Sequence, residues 1–113
     1  MDDARARELI AAERQRIERA LADLERGEDG ELSHVDQHPA DQGSELFEQE
    51  RDEGLSDRLR EELASVDRAE QRLQAGTYGR SVESGDPIPD ERLEVVPTAE
   101  RTVEEQARLE RGG

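Results

Sequence analysis

A chain of 113 residues, 31% hydrophobic and 2% aromatic, lacks the apolar mass for a thick globular core. Its net charge is −15, and all 16 basic positions are arginine, mixed among acids rather than gathered into the patch that phosphate binding requires. No cysteine is present, which excludes disulfides and thiolate metal sites, and no apolar run approaches the ~20 residues of a membrane helix. These limits point to a thin helical structure in which each helix buries one stripe. They also exclude direct DNA binding through a basic face and insertion in a membrane. With no secretory signal at the start, the expected location is the cytoplasm.

From Asp2 to about Arg26, Ala6, Ile10, Ile17, Leu21 and Leu24 recur at spacings of three, four and seven among charged residues, an amphipathic helix. Gly27 and Gly30 supply its stop. A loop over about 27–43, with His34, His38 and Pro39, precedes a second helix expected from Ser44 to about Ala75. Leu55, Leu59, Val66, Ala69 and Leu73 form its stripe, with Leu46, Phe47 and Leu63 alongside. The series 59, 66, 73 keeps the heptad of a coiled-coil seam. Two such helices joined by a loop are expected to pair antiparallel, with Glu62 and Glu70 weakening the seam if they face inward. Beyond Gly76 the composition shifts to turns and short extended pieces, including Leu93-Glu94-Val95-Val96. Thr98 is the expected N-cap of a last helix reaching about Arg111. The domain division expected is a hairpin over 1–75 and a globular region over 76–113.

Around Ser81-x2-Ser84 and Thr102-x2-Glu105 stands a distinctive frame. Gly76-Thr77-Tyr78-Gly79 precedes the first pair and Gly85 follows it, with Ile88, Arg92-Leu93-Glu94 and Pro97-Thr98-Ala99 between the pairs. This frame resembles the C-terminal zinc finger of the DksA/TraR family, whose cysteines would stand at 81, 84, 102 and 105. The resemblance implies a mostly α fold: a long antiparallel coiled-coil hairpin, a small zinc-ribbon-like end and a C-terminal helix. It departs from the family where the metal would sit. Of the four residues only Glu105 is a competent zinc donor, so zinc is expected to be absent and no cofactor is expected. Tyr78, Ile88, Leu93, Val95 and Val103, helped by Ser and Thr hydroxyl hydrogen bonds, are the residues expected to hold the metal-free end together.

The family binds bacterial RNA polymerase through a hairpin tip that reads Asp-x-x-Asp-x-Ala and enters the secondary channel. A gapless count from the finger places the second acid on Asp41, the first on His38 and the alanine on Gly43. The resemblance thus implies a polymerase-contacting tip of His38, Asp41 and Gly43, with Arg58 and Arg92 at further positions associated with polymerase or alarmone response. Three positions that carry basic residues for guanosine tetraphosphate fall on Ser65, Val96 and Gln106, so alarmone synergy is not expected. His34, Asp36, His38 and Asp41 also have metal-ligand chemistry, but a Gly- and Pro-bearing loop gives no reason for them to converge. Neither a nucleophile–base arrangement nor a phosphate-binding glycine loop occurs, and no enzyme activity is expected. The expectation is a monomeric transcription regulator that modulates initiation. Its competitor is a non-enzymatic interaction module or scaffold that keeps the family fold without polymerase regulation.

Overall fold

The computed structural model describes residues 1–28 and 42–112, with side chains described for 1–26 and 53–112. Four helices follow in order: α1 Asp3–Glu28, α2 Gln42–Ala75, α3 Asp90–Val95 and α4 Val103–Glu110. Among the described residues no strand forms, and the one extended pairing is an isolated antiparallel bridge between Arg80 and Pro87. The mostly α class read from the sequence is the class observed.

Helix α1 begins where Asp2 Oδ1 accepts the Arg5 N–H at 2.8 Å, a carboxylate satisfying an unpaired amide at the positive end of the helix. Its buried stripe is Ala6, Ile10 and Ile17, while Leu21 and Leu24 are half-buried. On α2 the stripe is Leu59, Val66 and Ala69, with Leu63 and Leu73 half-buried and Leu55 exposed. Helix α2 ends at Gly76, whose φ of 80° is the left-handed conformation a glycine adopts without strain. The Thr77 N–H bonds the Arg72 carbonyl and the Gly76 N–H bonds the Leu73 carbonyl, which together make a Schellman stop.

The chain divides into two units, one of residues 15–64 and one of residues 1–14 with 65–113. In the first, Ile17 and Leu59 are buried and Arg16 Nη2 meets Glu62 Oε1 at 2.9 Å. In the second, Arg14 reaches Asp67 at 2.5 Å and Glu70 at 2.8 Å, while Arg7 and Ile10 share a groove with Leu73 and Gln74. Low numbers on α1 there meet high numbers on α2, so the two segments run antiparallel. Glu62 and Glu70, expected to weaken the seam if they faced inward, are instead paired with arginines of α1.

The second unit also carries the segment 76–112, called the terminal module below. Its apolar core is Ile88, Leu93 and Ala99, with Met1, Tyr78 and Val96 packed against it. Burial of the two larger side chains contributes about 1.5–3 kcal/mol each. Several expectations are corrected here. Leu93-Glu94-Val95-Val96 is not extended: Pro89 with Asp90 and Glu91 starts the short helix α3, which turns Leu93 inward and leaves Val95 79% exposed. The last helix is capped by Thr102 rather than Thr98, because residues 97–98 form a turn in which the Ala99 N–H bonds the Val96 carbonyl. Val103, expected in the core, opens α4 on its solvent side and is 56% exposed.

Candidate functional site

The four positions of the finger frame come together in the terminal module. Residues 80–87 form a tight loop in which the Ser81 N–H bonds the Asp86 carbonyl at 2.8 Å and the Gly85 N–H bonds the Ser81 carbonyl at 2.9 Å. Gly85 has φ 79°, which closes this loop. Gly79 has φ 87°, and a Cβ there would lie 3.6 Å from Leu93 Cδ1, so backbone and core meet at that point. The Val82 N–H bonds the Glu100 carbonyl at 2.8 Å and the Tyr78 hydroxyl donates to the Pro97 carbonyl at 2.8 Å. These two bonds tie the loop's strand of chain to the 97–102 segment. Burial pushes the Tyr78 hydroxyl pKa up, opposed by the nearby Arg72 charge.

Against this loop α4 presents Glu105, which is only 7% exposed. Ser81 Oγ donates to Glu105 Oε1 at 2.5 Å, and Ser84 Oγ donates to Oε2 at 2.7 Å. The Thr102 N–H donates to Oε1 at 2.9 Å, while Thr102 Oγ1 accepts the Glu105 N–H at 3.2 Å, completing a capping box. Ser81 Oγ in turn accepts the N–H groups of Glu83 and Ser84 at 3.0 and 3.2 Å. The three bonds donated to Glu105 Oε1 and Oε2 favour the ionised carboxylate. The Ser81 hydroxyl, then Ser84 and the Thr102 amide, draw the Glu105 pKa from 4.5 down to about 2.

The donor set does not fit zinc. Two hydroxyls are spent as donors to the one carboxylate, the threonine hydroxyl caps a helix, and the carboxylate has accepted three hydrogen bonds. Among the described residues no group of three or more His, Cys, Asp or Glu has metal-binding geometry.

A second polar cluster links α2 to the module. Glu100 Oε2 accepts from Arg68 Nε at 2.8 Å and Arg72 Nη1 at 3.0 Å. Burial alone would raise the Glu100 carboxyl, but the Arg68 and Arg72 hydrogen bonds and charges outweigh it and hold the pKa below the ordinary value. The Arg72 side chain is 13% exposed, and its Nε and Nη2 have no hydrogen-bond partner among the described residues. Nothing in the sequence pattern marks Glu100, since its partners lie 28 and 32 residues away. The Thr-x-x-Glu signature of Thr102-Val103-Glu104-Glu105 is the signal that could have marked Glu105 as a capping acid, where the sequence reading placed the cap on Thr98.

Of the tip positions, His38 and Asp41 lie outside the described residues, as do His34 and Asp36. Gly43 falls in the opening turn of α2. Arg58 is exposed on α2 in the unit of residues 15–64. Arg92 lies half-buried on α3, its Nε donating to the Arg101 carbonyl at 3.4 Å. No described helix is long and apolar enough to cross a membrane.

Antiparallel helical segments, together with a module framed like a zinc finger but lacking its ligands, define a class with known members. Residues 76–111 match the model of the prokaryotic dksA/traR C4-type zinc finger. The solved structure of transcription factor DksA2 from Pseudomonas aeruginosa superposes with a TM-score of 0.76 at 31% identity, covering 96% of this chain and 83% of that one. The chain belongs to the DksA/TraR family. It is 46% identical over 82 residues to general stress protein 16O of Bacillus subtilis, covering 72% of this chain and 50% of that protein. It is also 46% identical over 55 residues to the RNA polymerase-binding transcription factor DksA of Caulobacter vibrioides, covering 49% of this chain and 39% of that protein. The chain spans half or less of the length of the curated relatives it matches.

Proposed function

We propose that this chain is a non-enzymatic, RNA polymerase-binding transcription regulator that acts in the cytoplasm as a monomer. The observation that carries the reading is the likeness to a transcription factor across 96% of the chain. The similarity to a second factor that binds RNA polymerase by name supports the partner. An acid excess of 15 charges suits a basic protein surface and disfavours DNA, where each contact depends on replacing counterions with cations.

In this reading the segment between α1 and α2 enters the polymerase secondary channel, with the Asp41 carboxylate acting electrostatically on the active centre. His38 and Gly43 shape the tip. Arg58 and Arg92 contact polymerase at other points, and guanosine tetraphosphate adds nothing because Ser65, Val96 and Gln106 bring it no positive charge.

The test is an equilibrium binding assay with the cognate polymerase, followed by promoter-complex lifetimes. Wild-type protein binds and changes the lifetime. Asp41→Asn binds, keeps its circular dichroism and loses the effect on lifetime. Wild-type protein that neither binds polymerase nor alters promoter complexes would remove this reading.

A further inference from the structure

The residues at the four finger positions do not fit a metal, yet the module they belong to is folded around them. We propose that the Glu105 carboxylate is the cross-link that closes this module in place of a metal, giving a finger that neither metal removal nor thiol oxidation can open.

The geometry carries this in three steps. A structural metal in a finger joins one ligand pair in a loop to a second pair at a helix, and that joining stabilises a fold too small to close on apolar burial alone. Here the same connection is made by one anion. Ser81 and Ser84, 24 and 21 residues away in sequence, each bond a different oxygen of Glu105. Thr102 fixes the same carboxylate on its own helix through the capping box.

A helix cap alone would leave Glu105 a local feature. The two serine bonds and the low exposure make it a tertiary one. The charge is also spread: Ser81 Oγ accepts two backbone N–H groups while donating to Glu105, so each bond polarises the next. Charged groups nearby do not compete for the carboxylate. Glu83 is engaged by Arg101 at 2.8 Å and lies 4.0 Å from Arg108. Arg108 and Arg111 line the open groove beside Glu105 rather than bonding it.

Tyr78 makes the test specific. It is the sole tyrosine in a chain without tryptophan, and it lies in the module, so its near-ultraviolet circular dichroism reports module closure. Melts of the full chain followed at this band are predicted to superimpose with and without a strong chelator, and before and after diamide, an oxidant selective for thiols. Ser81→Ala with Ser84→Ala, which leaves the Thr102–Glu105 capping box intact, lowers the Tyr78 melting temperature by about 10 °C. Glu105→Gln lowers it at least as far, and serves as a second reading if the double variant is poorly folded.

A chelator-induced shift in the wild-type melt would overturn the proposal by showing a metal in the cross-link. An unchanged melt of the double serine variant would overturn it by reducing Glu105 to a helix cap. These outcomes do not depend on polymerase binding, so failure of one reading leaves the other standing.

Discussion

The helical unit of residues 15–64 and the terminal module of residues 76–112 are held by different chemistry. The helices use periodic burial: Ile17 and Leu59 go inside, and ion pairs such as Arg16–Glu62 stay at the surface. The module has a small apolar cluster of Ile88, Leu93 and Ala99, and it adds two polar centres, Glu105 among hydroxyls and Glu100 between two arginines. The chain has few large hydrophobes, and several of them, Val82, Val95 and Val103 among them, are exposed rather than packed. Elsewhere it relies on carboxylates that each accept two or more hydrogen bonds, which offsets the cost of burying their charge.

The largest effect should come from the apolar parts, where the two regions are alike. Leu93→Ala and Ile17→Ala each remove a fully buried side chain and are expected to lower stability by about 3 kcal/mol in denaturant titrations. They should differ in signature, with Leu93→Ala abolishing the Tyr78 band and Ile17→Ala reducing helical signal first. Next is Glu100→Ala, which takes from the mostly buried Arg72 guanidinium its acceptor and leaves three unpaired N–H-bearing nitrogens. A loss of about 2 kcal/mol is expected by the same titration. At the bottom lies Arg16→Ala, which breaks an exposed pair in the helical unit and is expected to change stability by less than about 1 kcal/mol. If Arg16→Ala cost as much as Glu100→Ala, the contrast between surface pairs and module centres would fail.

The same contrast explains what could be read in the sequence. Ala6, Ile10 and Ile17 on α1, and Leu59, Val66 and Ala69 on α2, announce themselves by spacing, because a helix converts period directly into burial. The module has no period to read. Val95-Val96 looked extended by β-branched composition, whereas Pro89, Asp90 and Glu91 decide for a helix and Leu93 packs inward from it. Thr98 looked like a cap, but three residues on stands Arg101, while Thr102 has Glu105 to complete the box.

Of the residues expected to stabilise the module, Ile88, Leu93 and Tyr78 do so. Val95 and Val103 are exposed, and Ala99, Val96 and Met1 take up the packing instead. The hydroxyl hydrogen bonds were foreseeable from Ser81 and Ser84. Their convergence on Glu105 was not, because it depends on a loop and a helix brought together across more than twenty residues.

The central claim, that an ionised Glu105 holds the module, is open to one direct measurement. Folding lowers the Glu105 pKa, so its stabilisation is complete above the unfolded value of 4.5 and is lost as pH falls through the folded value of about 2. A carbon-13 titration of the Glu105 side-chain carboxyl in the folded protein is predicted to give a midpoint near about 2. A midpoint at 4.5 would show a carboxylate that feels no hydroxyl donors, and would contradict the account.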